Sequence, residues 1–376
     1  MGDEYCQIRR AVTTIASMGS PWRPVLDRIV PYDAGKPLEA LERELGQQAL
    51  VRLSANESPL GPSPLVVEAI RREAPRVHLY PDGGSTALRQ ALAKRLHVGP
   101  EQLIVANGAD ELLCLVATAA FDPGDEAVIP RPAFEPYTTV VTLAGGVVRE
   151  SPLAGYDTDL DDLGRRVTPR TKAVFVCSPH NPATTIVRRT PLLGLLSRLG
   201  ADGPLVVLDE AYRDFCNDPG YPDGVELLAG YPRLIVLRTF SKIAGLAGLR
   251  VGYAIASAET IDRLNRVRAP FNVNRLGQVA ALAALEDEAH LERTRRVVIE
   301  ERAFLSAELS RRGFRFPPSQ ANFLLVRVDD AEAARLRLLR AGLVVRDGGG
   351  VGFPGHLRIA VGTREVNLRL LSALDG

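Results

Sequence analysis

Three residue groups in this 376-residue chain are placed to do chemistry, and each follows an apolar run. The first is Asn107-Gly-Ala-Asp-Glu111, after Leu103–Ala106 and before the helical run Leu112–Phe121. Small residues opening a helix after a strand present free N–H groups and the positive end of its dipole, which suits a phosphate. Asp110 could equally serve only as a helix cap. The second is Asp209-Glu-Ala-Tyr212, closing Leu205–Leu208. A carboxylate at the end of a buried strand needs a positive partner. A protonated ring nitrogen is one candidate, an ordinary ion pair another. The third is Thr239-Phe-Ser-Lys242, followed by a Gly-rich turn to Arg250. Lysines are scarce: only Lys36, Lys94, Lys172 and Lys242. Lys36 lies in a Pro-flanked turn, Lys94 on an amphipathic helix, and Lys172 before a strand. Lys242 alone ends a strand, so it is the choice if an amine acts as nucleophile; otherwise it is a surface lysine.

The elements that must position these groups follow from periodicity. Leu103–Ala106, Ala127–Pro130, Ala173–Ser178, Leu205–Asp209, Leu234–Thr239 and Val251–Ala256 are nearly continuous in Val, Ile, Leu and Ala. Such runs suit strands covered on both faces. Helical patterns lie between most of them: Thr86–Leu96, Ala109–Phe121 and Pro191–Leu199. The alternation predicts an α/β domain with a mostly parallel sheet, whose sites lie beyond the strands' carboxyl ends. From about Arg266 the character changes. Helical patterns at Leu276–Leu285 and Leu291–Arg312 precede short strands at Phe323–Val328 and Leu357–Val361, with a last helix from Arg364. This predicts a smaller α+β domain. The first 50 or so residues read as an arm with one helix, Lys36–Leu45. The expected division is therefore 1–52, an arm joining the small domain; 53–265, the large domain; and 266–376, the small one.

Composition narrows the classes. A net charge of +1 gives no reason to expect nucleic acid or an anionic membrane. No apolar run suits a signal peptide or a membrane span, so the cytoplasm is the simplest location. Cys6, Cys114, Cys177 and Cys216 are far apart and His78, His97, His180, His290 and His356 lack ligand spacing. No metal site is expected. Gly350-Val-Gly-Phe-Pro-Gly355 fits a dinucleotide fingerprint, but Pro354 interrupts it and a strand follows, so it is rejected.

Taken in order, these clusters resemble the fold-type I pyridoxal-phosphate enzymes, and more closely the histidinol-phosphate aminotransferases. The resemblance runs from about Ile29 to Leu374. It is carried by Pro31–Pro37, Leu53-Ser-Ala-Asn-Glu-Ser-Pro-Leu-Gly61, Tyr80-Pro-Asp82, Asn107–Glu111, Ser178-Pro-His-Asn-Pro182, Asp209–Tyr212, Arg238–Arg250 and Leu357–Arg364. It implies a seven-stranded sheet in the large domain and pyridoxal 5′-phosphate as cofactor. Lys242 would hold the cofactor covalently and then move a proton at the substrate's Cα. Asp209 would keep the ring nitrogen protonated. Tyr212 and Asn181 would bond the phenolic oxygen, and Phe134 would stack on the ring. Gly108, Ala109, Asp110, Thr239, Ser241 and Arg250 would hold the phosphate, with Tyr80 reaching it from a second subunit of a homodimer. Arg358 would clamp the α-carboxylate, and Tyr32 and Arg346 would bind a phosphorylated donor. The implied activity is amino transfer from histidinol phosphate to 2-oxoglutarate, in histidine biosynthesis. Alternatives are an aromatic amino-acid or secondary-metabolism aminotransferase, and a decarboxylase or cyclase of the threonine-phosphate decarboxylase type. The chain departs from the family's common Ser-Pro-Asn-Asn-Pro-Thr-Gly at His180, Ala183 and Thr184. Residues 1–22 have no counterpart.

Overall fold

The computed structural model describes residues 20–33, 35–46 and 49–375. Two compact units, Met1–Ala34 and Gly35–Gly376, divide the chain. The described part of the first unit holds a 3-10 turn, Pro24–Arg28, and an exposed Tyr32. Cys6 and residues 1–19, 34 and 47–48 of the expected arm lie outside the described residues.

The second unit is built on twelve strands among the described residues. In chain order they are β1 (Val51–Arg52), β2 (Leu103–Ala106), β3 (Glu126–Arg131), β4 (Val147–Pro152), β5 (Thr171–Cys177) and β6 (Leu205–Asp209). Then come β7 (Leu234–Thr239), β8 (Gly252–Ile255), β9 (Phe323–Arg327), β10 (Leu343–Val344), β11 (Arg346–Asp347) and β12 (His356–Ala360). The main sheet has seven strands in the order β2-β8-β7-β6-β5-β3-β4. All its pairs are parallel except those of β8, which runs antiparallel to β2 and β7. The six apolar runs of the sequence are all in this sheet. The seventh strand, β4, was not legible: Val-Val-Arg-Glu-Ser-Pro is an edge strand, mostly exposed or half-buried, so it carries no continuous apolar run.

Side chains alternate faces along a strand, and two cores result. Val174, Val176, Val206, Leu208 and Val236 pack one face; Phe175, Val207, Ile235 and Leu237 pack the other. The helix Gly108–Ala120 covers the second face, and Arg275–Glu286 packs on Pro64–Glu73 beside the first. A separate core of Leu305, Leu309, Leu324, Val326, Leu338, Leu357 and Leu370 lies under the antiparallel sheet β11-β12-β9. The short parallel pair β1-β10 ties the segment entering the large sheet to this second layer. The rejected glycine run leads into β12 and opens no α-helix.

Candidate active site

β6 delivers Asp209 at its carboxyl end. The carboxylate is buried and accepts from the Tyr137 hydroxyl at 2.6 Å and from the Ala211 N–H at 3.0 Å. Among the described residues no basic side chain forms an ion pair with it. Burial therefore pushes its carboxyl pKa up, although the bonds from Tyr137 and Ala211 pull the other way. Glu210 points to the opposite face. It is buried against Arg238, 2.8 Å away, and Arg238 reaches Asp223 at 2.5 Å. The Asp209–Glu210 pair thus divides its labour: Glu210 fastens β6 to β7, and removing either partner of such a pair costs about 3–5 kcal/mol.

β7 delivers Lys242 through a buried turn. The Thr239 hydroxyl donates to the Val251 carbonyl at 3.3 Å and accepts from the Ser241 N–H at 3.0 Å. Lys242 is half-buried, and its Nζ donates to the Ala55 carbonyl at 3.1 Å. Burial and the nearby Arg358 lower its pKa to about 8. Its Nζ lies 5.7 Å from the centroid of Tyr212.

The Tyr212 hydroxyl accepts from Asn56 Nδ2 at 3.2 Å and Asn181 Nδ2 at 3.4 Å. Asn181 Oδ1 in turn accepts from Arg358 at 2.9 Å, and Arg358 also donates to the Ser54 carbonyl at 2.7 Å. One network therefore joins the segment after β1, the loop after β5, the turn after β6 and strand β12. Asn56 sits at φ +54, a left-handed conformation that Asn tolerates better than most residues. Asn322 holds it by donating to its carbonyl at 3.1 Å.

The third cluster opens the helix Gly108–Ala120. Gly252 of β8 lies against it so closely that a Cβ there would stand 2.7 Å from the Gly108 carbonyl carbon and 2.8 Å from the Ala109 nitrogen. Gly108 itself has φ +83, and a Cβ on it would meet Arg250 Nη2 at 2.6 Å. Arg250 donates to Asp110 at 2.7 Å. A helix N-terminus, an arginine and the Thr239–Ser241 turn thus converge in a cradle with the chemistry of a phosphate site.

Phe134 meets Tyr137 edge-on at 5.6 Å. Arg346 pairs directly with Arg358 across β11-β12. Tyr80 is 79% exposed, stacked on Phe271 at 4.7 Å, and is not joined to these networks within the chain. Tyr32 belongs to the first unit. Residues that sequence reasoning missed are Tyr137, Asn56, Asn322, and the carbonyls of Ser54 and Ala55. Among the missed side chains only Asn56 carried a signal, because it stands inside the Leu53–Gly61 motif.

The residues present fit pyridoxal phosphate: a phosphate cradle, a half-buried lysine of lowered pKa, and a buried carboxylate between neutral donors that a ring cation would offset. Comparisons with known proteins agree. The sequence profile of aminotransferase class I and II matches residues 48–374. A histidinol-phosphate aminotransferase of Moorella thermoacetica is 44% identical over 354 residues, covering 94% of this chain and 92% of that protein. The crystal structure of histidinol-phosphate aminotransferase from Sinorhizobium meliloti in complex with pyridoxal-5′-phosphate superposes with a TM-score of 0.85 at 29% identity, covering 96% and 98% of the two chains. An aspartate aminotransferase from Thermotoga maritima gives 0.83 at 25% identity, covering 94% and 99%.

Proposed function

We infer the reaction from the family: this chain belongs to the histidinol-phosphate aminotransferases, within the class I and II aminotransferases. It is a pyridoxal-phosphate-dependent aminotransferase. The donor we propose is histidinol phosphate and the acceptor 2-oxoglutarate. The observation that carries this choice is the register of Arg346 opposite Arg358. Directly opposed side chains share a face of the sheet, so a phosphate dianion there can take a guanidinium fork from each. Histidinol phosphate has a phosphorylated methylene on Cα where an amino acid has its carboxylate. One arginine face must therefore take a phosphate from the donor and a carboxylate from the acceptor, and a planar guanidinium fork fits both.

When bound, the cofactor supplies an electron sink for charge left on the substrate's Cα. Lys242 would hold it covalently. Once displaced by the substrate amine, Lys242 would take the proton from Cα and deliver it to C4′ of the cofactor. A pKa of about 8 leaves part of the amine neutral near pH 7, as a general base requires. Asp209 would keep the ring nitrogen protonated, with Tyr137 orienting the carboxylate. Tyr212 and Asn181 would bond the phenolic oxygen and Phe134 would pack on the ring. Gly108, Ala109, Asp110, Thr239, Ser241 and Arg250 would hold the phosphate, completed by Tyr80 of a second subunit in a homodimer. The proposed division of the rest of the chain is 53–265, the cofactor domain, and 266–376, the small domain. No described helix is long and apolar enough to cross a membrane, and the reading places the enzyme in the cytoplasm.

The test compares histidinol phosphate, histidinol and phenylalanine at equal concentration with 2-oxoglutarate, following the cofactor's absorbance and the keto product. Histidinol phosphate should have the highest kcat/KM. Faster turnover of phenylalanine would replace this reading with an aromatic aminotransferase. Carbon dioxide release from a phosphorylated amino acid without keto product would mark a decarboxylase.

A further inference from the structure

Beyond β4 the chain makes a tight turn, Ala154–Asp157, closed by reciprocal N–H···O bonds of 2.8 and 3.1 Å. Tyr156 stands at its tip and touches two other parts of the fold. Its hydroxyl lies 2.9 Å from Nε2 of His356, the first residue of β12. The other ring nitrogen, Nδ1, is 3.0 Å from the Pro354 carbonyl. A carbonyl only accepts, so Nδ1 carries the proton and Nε2 accepts from Tyr156. The Tyr156 ring is stacked on Phe353 at 5.6 Å and 15°, so the contact is packed as well as bonded.

The Tyr156 backbone faces the other way. Its carbonyl accepts from the Thr185 hydroxyl at 2.8 Å, and the Thr185 carbonyl accepts from the His180 N–H at 2.7 Å. His180 directly precedes Asn181. Tyr156 therefore links the loop that carries Asn181 to the start of β12. Arg358 is two residues along that strand, on the same face as His356, and donates to Asn181 Oδ1 at 2.9 Å. The circuit closes through the site itself.

We propose that Tyr156 is a positioning residue for Arg358, holding β12 and the Asn181 loop at the spacing at which the guanidinium engages a substrate anion. This rests on the reading of Arg358 as the anion clamp. A bidentate fork tolerates little displacement, because both N–H bonds must align with both oxygens. Fixing the strand two residues upstream sets that alignment without touching substrate.

The test uses the holoenzyme. Tyr156→Phe keeps the stacking on Phe353 and removes the hydroxyl. The KM for 2-oxoglutarate should rise roughly three- to tenfold, the range expected for one neutral hydrogen bond. The kcat should change less than about twofold on the same reasoning, and the cofactor's absorbance and affinity should stay as they are. Arg358→Gln is measured beside it, with the double variant. If Tyr156 acts through Arg358, the double variant should be no worse than Arg358→Gln alone. Additive losses, or a lower melting temperature with an unchanged KM, would make Tyr156 merely structural and overturn the proposal while the clamp stands. If Arg358→Gln itself leaves the KM unchanged, the clamp reading falls, and this proposal with it.

Discussion

The Tyr137 hydroxyl donates a 2.6 Å hydrogen bond to Oδ2 of Asp209, from a helix that precedes β6 by two strands. Its ring is stacked on Phe175 at 5.2 Å, so the donor is held by the core. Burial raises the Asp209 pKa and this bond opposes the rise. Tyr137→Phe keeps the stack and removes the opposition, so Asp209 should become a weaker partner for a protonated ring nitrogen. A hydrogen bond to a charged group contributes about 1.5–3 kcal/mol, so kcat should fall roughly ten- to a hundredfold. Asp209→Ala should cost more, about a thousandfold, by the scale of a broken buried pair. Circular dichroism would check that both variants fold; near-normal turnover of Asp209→Ala would leave it a structural residue.

Lys242 should show its lowered pKa in the apoenzyme. The neutral amine is the nucleophile, and at pH 7 a pKa of about 8 leaves about a tenth of it neutral. Labelling by an uncharged aryl fluoride should rise with pH and level off above about 8. Borohydride treatment of the holoenzyme should fix the cofactor on Lys242, and peptide mapping reads both results. A reduced adduct on Lys36, Lys94 or Lys172 would end this assignment.

Lys242 and Asp209 were legible because they are chemically costly residues at the ends of apolar runs, where a parallel sheet puts its site. The helix opening at Gly108 was legible for the same reason, while its grouping with Thr239, Ser241 and Arg250 came from the family resemblance. Tyr137 was not, because a tyrosine in the helical run Pro136–Leu143 looks like core until β6 is laid beside it. The carbonyls of Ser54 and Ala55 were invisible in principle: any residue has one, and only the fold aims it. Gly252 was read simply as strand, whereas its missing side chain is what lets β8 reach Gly108. The altered loop after β5 was read as either neutral or a change of substrate. The structure adds a conformational consequence: Thr184 takes φ +71, where the family pattern has glycine, and a β-branched residue is strained there.

The same loop predicts an acid sensitivity. His180 is 1% exposed and its Nδ1 accepts from the Ala183 N–H at 3.1 Å, so the ring must be neutral. Burial lowers its pKa from 6.5 to about 4. Below pH 6.5 the unfolded chain binds a proton that the folded chain refuses until about pH 4, so stability falls with pH across that window. Between pH 7.5 and 5 the loss should be about 2 kcal/mol per chain. His180→Asn supplies an oxygen for the Ala183 N–H and does not titrate. Urea unfolding at the two pH values should show a smaller acid loss in His180→Asn by about that amount; equal losses would sink the idea.

Tyr80 is exposed within the chain and stacked on Phe271, with Val77 and Leu79 exposed beside it. If it completes the phosphate site of a second subunit, mixing two inactive chains restores activity. A dimer of one Tyr80→Phe chain and one Lys242→Ala chain has one site with both defects and one with neither. Its activity should therefore exceed that of either parent. Sedimentation should show a dimer, and a fully active monomer would refute shared sites.

Arg346 is the proposed determinant of the donor. It faces Arg358 across β11-β12, and two forks on one face suit a dianion better than a carboxylate, which one fork already satisfies. Each charge-assisted bond to a phosphate contributes about 1.5–3 kcal/mol. Arg346→Gln should thus lower kcat/KM for histidinol phosphate roughly ten- to a hundredfold. The same change should leave histidinol, which has no phosphate, within about threefold, since nothing that Arg346 binds has been lost. The KM for 2-oxoglutarate should move far less than it does in Arg358→Gln, because that arginine is the proposed clamp for the carboxylate. The comparison has a built-in control: a general distortion of β11 would shift β12 with it and weaken all three ligands together. Equal losses for histidinol phosphate and histidinol would therefore assign Arg346 to holding the sheet, and the phosphate specificity would have to come from elsewhere in the site.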